Sequence, residues 1–260
     1  MRASILCGIV LSLLTLGSCS EPSIDPGQEF SRGLPDDMTF SQLRTGGDGY
    51  RALLLAYRAT TKFSSDNVIQ QDVAQVMLEN PESEHTVFGG NVSLNGTGVR
   101  VLQLPDGPTT YQSIQHNVFP PLQTVPLNFN GSYQVFRVNG NSNFPAFTDS
   151  LKSPSTTVSI TVPDVDDTVS KASGFTVQWT GTSGHDLSYI TISGNGAQGF
   201  GKKVTGQNSL TIYPADLAGL SPGRMSISVT SGNYKGQISD DIGRVVAVYS
   251  SMAIETYLAP

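Results

Sequence analysis

Apolar residues alternate with serine and threonine in several short runs, and this alternation limits the fold more than any other feature of the sequence. Three runs show it most clearly: Val158 to Val162, Phe175 to Trp179 and Met225 to Val229. A period of two is typical of a β-strand with one buried and one solvated face, because successive strand side chains point to opposite sides of the sheet. No long run has the apolar spacing of an amphipathic helix. The sequence therefore predicts an all-β protein.

Turn-forming residues separate these runs. Glycine and proline account for 27 and 15 of the 260 residues. Asn95 and Gly96 stand between two strand-like runs and both accept the positive φ of a tight hairpin, so the strands on either side are expected to pair. Further strands are predicted over residues 109–114, 132–138, 144–151, 187–192, 209–213 and 244–258. The last of these is long enough to bend or break near Ser250 and Ser251.

Two segments fit a strand or a helix. Residues 50–61 contain the continuous apolar run Ala52 to Tyr57. Residues 68–78 have the same ambiguity, with Val73, Gln75 and Met77 opposing Ala74, Val76 and Leu78. Periodicity alone does not separate a helix from a strand that is buried on both faces. The alternation over residues 58–63 favours a strand for the first segment, and both alternatives stay open for the pair.

Composition divides the chain into four parts. Residues 1–18 are expected to form a separate leader segment. Residues 19–49 are rich in Pro, Gly, Ser and Asp without an apolar period, which is typical of a flexible tether. Residues 50–152 and 153–260 each carry short strands at the spacing of a sandwich. We therefore expect two consecutive antiparallel β-sandwich domains after the signal peptide and tether.

The first residues have the pattern of an export signal. Arg2 precedes an apolar run from Ile5 to Leu16, which is too short to cross a hydrocarbon core of ~30 Å as a helix. The end of this run, Leu16-Gly17-Ser18-Cys19, resembles the lipobox of bacterial lipoproteins. The resemblance implies that the Cys19 thiol is lipidated, that the chain is anchored to a bacterial envelope membrane, and that Ser20 directs it to the outer membrane. The alternative is an ordinary cleaved signal with an incidental cysteine.

A second resemblance covers residues 153–260. The run Phe175 to Trp179, and Leu217, Leu220 and Ser221-Pro222-Gly223 before a later strand, resemble fibronectin type III and related Ig-like domains. This resemblance implies that Trp179 lies in the core of the sandwich. The family usually has a tyrosine three residues after the glycine of this turn, whereas this chain has Ser226.

The sequence predicts no catalytic site. Removal of Cys7 and lipidation of Cys19 would leave no free thiol, and His85, His116 and His185 lack the spacing of metal ligands. Four further polar residues are close in sequence: Ser183, His185, Asp186 and Ser188. They are not expected to form a catalytic group, because sequence neighbours on a strand point to opposite faces. We expect a solvated loop there instead. The glycines between Gly194 and Gly201 lack the Lys-Ser/Thr pair of a phosphate loop and indicate a hairpin tip.

One acidic loop is a candidate cation site. Asp164, Asp166 and Asp167 provide the carboxylate oxygens that Ca²⁺ prefers. The alternative is a solvated turn between the two domains. We expect no metal or other cofactor elsewhere.

A ligand would be expected to meet exposed aromatic rings. The candidates are Tyr111, Phe119, Tyr133, Phe200 and Tyr234. Phe200 and Tyr234 are the first choice, because both lie in glycine-rich stretches that the expected topology places near one another. A net charge of −6 gives no basic footprint for nucleic acid.

These features predict a non-enzymatic protein of the bacterial cell envelope, held to the membrane by its N-terminal lipid and acting as a binding or spacer module. One alternative is a carbohydrate-binding or glycan-directed accessory protein. A second is a structural subunit of an outer-membrane assembly. The expected partner is accordingly an envelope protein or a glycan.

Overall fold

The computed structural model describes residues 49–83, 86–103, 109–116, 127–196, 199–239 and 242–260. Within these ranges the chain is all-β, as predicted, and the single helical element is a short 3-10 turn, Pro214–Leu217. The signal peptide, Cys19, His85, Phe119 and all of the tether except Gly49 lie outside the described residues.

The strands are β1 (Tyr50–Ser64), β2 (Asn67–Glu79), β3 (Val92–Leu94), β4 (Thr97–Val99), β5 (Val101–Gln103), β6 (Thr109–His116), β7 (Tyr133–Val138), β8 (Phe147–Lys152), β9 (Ser159–Val162), β10 (Thr168–Ser170), β11 (Phe175–Thr180), β12 (Leu187–Gly196), β13 (Phe200–Lys203), β14 (Ser209–Ile212), β15 (Leu220–Ser239) and β16 (Ile242–Ala259). Both ambiguous segments are strands, β1 and β2. β1 is buried on both sides, with Leu53 only 4% and Leu54 0% exposed. Burial on both faces explains why its sequence is continuously apolar.

The central feature is one long sheet shared by the two halves of the chain. Its strand order is β13-β12-β15-β16-β1-β2-β6-β5, and β10 pairs with β16 off this path. β1 pairs in parallel with β16, from Tyr50 opposite Ile242 to Lys62 opposite Ile254. The sequence did not predict this parallel pairing. The domain boundary at residues 152 and 153 stays a prediction, but the two halves on either side of it share a sheet.

β15 and β16 form a long antiparallel pair at the centre of this sheet. β16 runs without interruption through Ser250 and Ser251, so of the two predicted possibilities, a bend or a break, the break does not occur. Both serines have polar partners: the Val158 amide donates to Ser250 Oγ at 2.9 Å, and Thr230 Oγ1 donates to Ser251 Oγ at 2.9 Å. Backbone pairing with β15 on one side and β1 on the other runs through both serines, so the strand continues past them.

Two smaller sheets cover one face of the long sheet. The sheet β4-β3-β7-β8 lies over one end, and the sheet β14-β11-β9 lies over the other. The first core includes Val246 and Val248 of β16, and the second includes Ile254 and Leu258. These four positions are all even-numbered, so they lie on the same side of β16. Trp179 is 1% exposed in the second core, as the fibronectin-like resemblance implies.

The opposite face of the long sheet carries a third apolar cluster. It consists of Leu53, Leu55, Val245 and Ala247, against which Tyr57 and Tyr249 pack. The two tyrosine rings are stacked, with centroids 4.9 Å apart and an interplanar angle of 4°. Burial raises the pKa of Tyr57 to about 12 and raises that of Tyr249 as well.

The Asn95-Gly96 hairpin forms as predicted, and the strands on either side of it pair with each other. Asn95 and Gly96 have φ angles of 51° and 81°. The Asn95 side chain binds the neighbouring strand: Oδ1 accepts from the Val135 amide at 2.9 Å, and Nδ2 donates to Gln134 Oε1 at 2.7 Å. This hairpin connects β3 to β4, and the Asn95 hydrogen bonds hold the turn against β7.

A buried carboxylate connects β8 to the long sheet. Asp149 is 5% exposed and forms a short ion pair with Lys235 of β15. It also lies 3.8 Å from Arg244 Nε on β16 and accepts a hydrogen bond from Gln237 Nε2 at 3.0 Å. The inward-facing side of β8 is therefore held by charge as well as by apolar packing.

Candidate functional site

The two preferred aromatic residues lie in strands and do not form a common site. Phe200 on β13 is opposite Ile192, which is opposite Ile227 on β15. Tyr234 lies about 23 Å further along β15 at ~3.3 Å per residue. Phe200 packs against the Trp179 core, whereas Tyr234 packs against the third cluster. The expected proximity is therefore wrong, and a binding role for either residue alone stays a prediction.

Of the two other candidates that the structure describes, Tyr111 and Tyr133, Tyr133 has the exposed ring. Tyr111 is 0% exposed, and its hydroxyl accepts from the Gly89 amide at 2.9 Å and donates to the Gly90 carbonyl at 2.7 Å. Tyr133 is 64% exposed. Within the described part of the chain, its side chain makes no aromatic contact and no hydrogen bond.

Tyr133 belongs to a solvent-facing side of the small sheet β4-β3-β7-β8, which we call the open face. Burial alternates strictly along β7: Gln134, Phe136 and Val138 point into the core, while the residues between them point outward. Partners on β3 and β8 extend the outward row. The open face consists of Ser93, Tyr133, Val135, Arg137, Thr148, Ser150 and Lys152.

The register fixes which of these side chains are neighbours. Tyr133 lies opposite Lys152, Val135 opposite Ser150, and Arg137 opposite Thr148. On its other side Arg137 lies opposite Ser93 of β3. Directly opposed side chains of antiparallel strands have Cβ atoms about 4.5–5.5 Å apart. The ring, the two cations and the hydroxyl groups thus form one continuous surface.

Two shallow grooves lie on this side of the sheet. The larger has a volume of about 570 Å³ and is lined by Ser93, Gly96, Val135, Arg137, Asn139 and Thr148. The smaller, of about 310 Å³, continues past Arg137 towards Ala146 and Phe147. Arg137, Asn139 and Thr148 line both grooves, so the two form a single path along the open face.

The charge of the open face is positive. Arg137 and Lys152 are in no ion pair with another described residue. The nearest carboxylate along β8, Asp149, points to the buried side, where it is paired with Lys235. The open face therefore presents two cations to solvent without a carboxylate beside them on β7 or β8.

The structure places His185 beside Ser231, which in turn contacts Ser188. The expected solvated loop is wrong for His185 and Ser188, because both are buried. His185 Nδ1 lies 2.7 Å from Ser231 Oγ, which lies 2.6 Å from Ser188 Oγ and donates to the Leu187 carbonyl at 3.2 Å. Burial lowers the pKa of His185, and the nearby Asp186 charge opposes this effect. Ser188 and Ser231 are 0% and 1% exposed. A hydroxyl that substrate cannot reach is not a nucleophile, so this cluster is a buried polar contact between β12 and β15.

The acidic loop does not assemble a cation site. Asp164 Oδ1 pairs with Lys62 Nζ at 2.7 Å, and Asp167 Oδ2 accepts from the Asp164 amide at 2.7 Å. The hydrogen bond from Lys62, with a second from the Val165 amide, lowers the pKa of Asp164. Asp166 occupies a left-handed position with φ of 66°. In the described ranges no group of three potential ligands could hold a metal ion, and the loop is instead paired with Lys62 of β1.

No family model matches this chain, and no curated protein matches it. Among solved structures, it is similar to the fibronectin(III)-like modules of Clostridium thermocellum CbhA, at 9% identity over 79% of this chain and 94% of that one, with a TM-score of 0.21. It is also similar to a 1.5-MDa bacterial ice-binding adhesin, at 14% identity over 80% and 65%, with a TM-score of 0.23. A third similarity is to the IG1 and IG2 domains of DIP-gamma, at 10% identity over 78% and 94%, with a TM-score of 0.19. Scores this low do not define a common topology, and the all-β assignment rests on the strands of this chain.

A search of the described residues for a helix long and apolar enough to cross a bilayer finds none.

Proposed function

We propose that this protein is a lipid-anchored, non-enzymatic binding module of a bacterial cell envelope, and that the open face is its binding surface. The observation that carries the binding proposal is the position of Tyr133, which is 64% exposed on the same outward row of β7 as Val135 and Arg137, two residues that line the larger groove. An aromatic ring in water loses apolar hydration when a partner covers it, so such rings are frequent in binding surfaces. The resemblance of Leu16-Gly17-Ser18-Cys19 to a lipobox supports the anchor.

The backbone beneath this surface is well suited to hold it in place. β7 is paired on both sides, with β3 and with β8, and its inward residues Phe136 and Val138 are 0% and 1% exposed. Gln134, which is 1% exposed, donates to the Asn128 carbonyl at 3.1 Å and accepts from Asn95. A surface on fixed strands loses little conformational entropy when a ligand binds.

The anchor is tested by labelling cells that express the protein with radioactive palmitate. We expect the wild type and a Cys7→Ala variant to take up label and a Cys19→Ala variant to take up none. Equal labelling of the Cys19→Ala variant, or no labelling of the wild type, would contradict the anchor. The Cys7→Ala control separates loss of the lipid site from a general effect of removing a cysteine.

The binding surface is tested with Tyr133→Ala, and Tyr213→Ala is the matched control because Tyr213 is similarly exposed, at 63%, away from the open face. Both proteins would be screened against a polysaccharide panel and, after crosslinking in cells, against envelope proteins. We expect partners of the wild type to be lost from the Tyr133→Ala variant and kept by the Tyr213→Ala variant. Partners that both variants keep would show that the open face is not the binding surface.

A further inference from the structure

We infer that the ligand of the open face is an anionic polysaccharide whose sugar rings stack on Tyr133 and whose carboxylates pair with Arg137 and Lys152. This inference rests on the proposed binding function and names the chemical class of its ligand. It is carried by the combination of an exposed ring, two cations without a carboxylate partner among the described residues, and a row of hydroxyl groups on one surface.

The charge pattern selects an anion. The chain as a whole has a formal net charge of −6, yet the outward residues of β3, β7 and β8 include Arg137 and Lys152 and no carboxylate. Elsewhere in the described chain, Arg51, Lys62 and Arg224 have carboxylate partners. Lys202 and Lys203 on the edge strand β13 are exposed and, like the two cations of the open face, are in no ion pair with a described residue, but no exposed aromatic ring lies on β13. Arg137 and Lys152 have no carboxylate partner among the described residues, so each can pair with a carboxylate of a ligand. An arginine can form two parallel hydrogen bonds with such a carboxylate.

The arrangement along β7 selects an elongated ligand. Arg137 lies four residues after Tyr133, about 13 Å away at ~3.3 Å per residue, and Lys152 stands directly opposite Tyr133. The groove continues past Arg137 to Asn139 and Ala146. A single small anion would reach one cation only, whereas a linear polymer could contact the ring and both cations together.

The remaining side chains are typical of sugar recognition. Ser93, Thr148 and Ser150 offer hydroxyl groups beside the two cations, and each can donate or accept a hydrogen bond. The flat ring of Tyr133 and the adjoining Val135, which is 39% exposed, provide the apolar contact. Nucleic acid is a poorer fit, because its binding depends on many basic contacts to phosphate and this surface has two.

The test uses polygalacturonate and its methyl ester, which share one backbone and differ in the charge of the carboxyl groups. Titration of the purified protein at low salt would measure binding to each. We expect the acid form to bind and methyl esterification to weaken binding by about tenfold or more, which is the effect of losing a charged hydrogen bond. Arg137→Met and Tyr133→Ala should each weaken binding to the acid form by a similar factor.

Lys203→Met is the matched control, since Lys203 is an exposed cation on the edge strand β13. It removes the same charge from the whole protein and should leave binding unchanged. Equal losses in Lys203→Met and Arg137→Met would overturn the inference, because they would indicate a response to net charge alone. Thermal unfolding of each variant would confirm that these exposed substitutions leave the fold intact.

The outcomes separate the inference from the function on which it rests. Equal binding of the acid and the ester, with loss in Tyr133→Ala, would overturn the anionic ligand and retain the open face as a binding surface. If polyphosphate bound as tightly as polygalacturonate and Tyr133→Ala left polyphosphate binding unchanged, the inference that the ligand is a polysaccharide would be overturned. If neither form binds while the envelope screen yields a Tyr133-dependent partner, the inference fails and the proposed function stands.

Discussion

Tyr111 and Tyr133 are the same residue type in opposite surroundings, one enclosed in the first core and one on the open face. The Tyr111 hydroxyl satisfies both the Gly89 amide and the Gly90 carbonyl. We expect Tyr111→Phe to lower the free energy of unfolding by about 1–3 kcal/mol, because it leaves the buried Gly89 amide without a partner. Tyr133→Phe, at a 64% exposed position, should change it by less than about 0.5 kcal/mol.

Urea denaturation of the two variants would measure this difference. Equal stabilities for Tyr111→Phe and Tyr133→Phe would contradict the role of the Tyr111 hydroxyl. Burial also raises the pKa of Tyr111, which is consistent with a hydroxyl that stays protonated and donates to Gly90.

His185 makes folding stability depend on pH. Burial lowers its pKa below the ordinary value of 6.5, so the folded state favours the neutral ring that contacts Ser231, whereas the unfolded chain takes up a proton near pH 6.5. Stability attributable to His185 is therefore present above pH 6.5 and is lost as the pH falls through 6.5 towards the lower pKa of the folded state. Asp186 reduces the size of this effect but not its sign.

The expected result is a decrease in wild-type stability between pH 7.5 and pH 5.5 that a His185→Gln variant does not share in full. Denaturant midpoints measured at each pH, compared between the two proteins, would show it. Parallel pH profiles would contradict a neutral buried His185 in the folded state.

Among the elements, the β3–β4 hairpin offers the sharpest test of local structure. Gly96 has a φ of 81°, and the space that a Cβ would occupy there is open, so its only constraint is the left-handed backbone. We expect Gly96→Ala to destabilise the protein by about 1–2 kcal/mol. Gly98 has equally open surroundings without the positive φ, so Gly98→Ala should have little effect. Thermal unfolding of the pair would measure the difference, and equal losses would contradict a backbone origin.

Elements governed by local pattern were largely predictable from the sequence. The Asn95-Gly96 turn and strands such as β7 and β11 follow from turn chemistry and two-residue alternation. The open face was partly predictable, since Tyr133 was one of five candidate rings and Arg137 marks the same outward side of β7. The choice of Tyr133 over Phe200 and Tyr234 was not predictable, because burial of the Phe200 and Tyr234 rings depends on pairing between strands distant in sequence.

The whole molecule is organised by the parallel pairing of β1 with β16, which joins the beginning and end of the described chain. Such pairing has no local signature, because it depends on which distant apolar strand meets the edge of β16. It explains why β1 is apolar on both faces, a feature that left a helix possible from sequence alone.

A shared sheet predicts that the two halves unfold together. Leu94 is 0% exposed in the first core, and Leu94→Ala should cost about 2–5 kcal/mol. Trp179, the only tryptophan, lies in the second core and reports on the other half by fluorescence. We expect Leu94→Ala to lower the denaturation midpoint measured by Trp179 fluorescence together with the midpoint measured by circular dichroism.

Val101→Ala, at a 36% exposed position in the same half as Leu94, is the control and should leave both midpoints in place. An unchanged Trp179 midpoint in Leu94→Ala, with a lowered midpoint by circular dichroism, would show two independent domains. That outcome would support the boundary predicted at residues 152 and 153.

The most direct test of the open face is a map of ligand-induced amide chemical shifts in the ¹⁵N-labelled protein titrated with a short polygalacturonate oligomer. We expect the shifted amides to cluster on β3, β7 and β8, around Ser93, Tyr133 to Arg137 and Thr148 to Lys152. Shifts concentrated around Phe200 or Tyr234, with β7 and β8 unchanged, would contradict it.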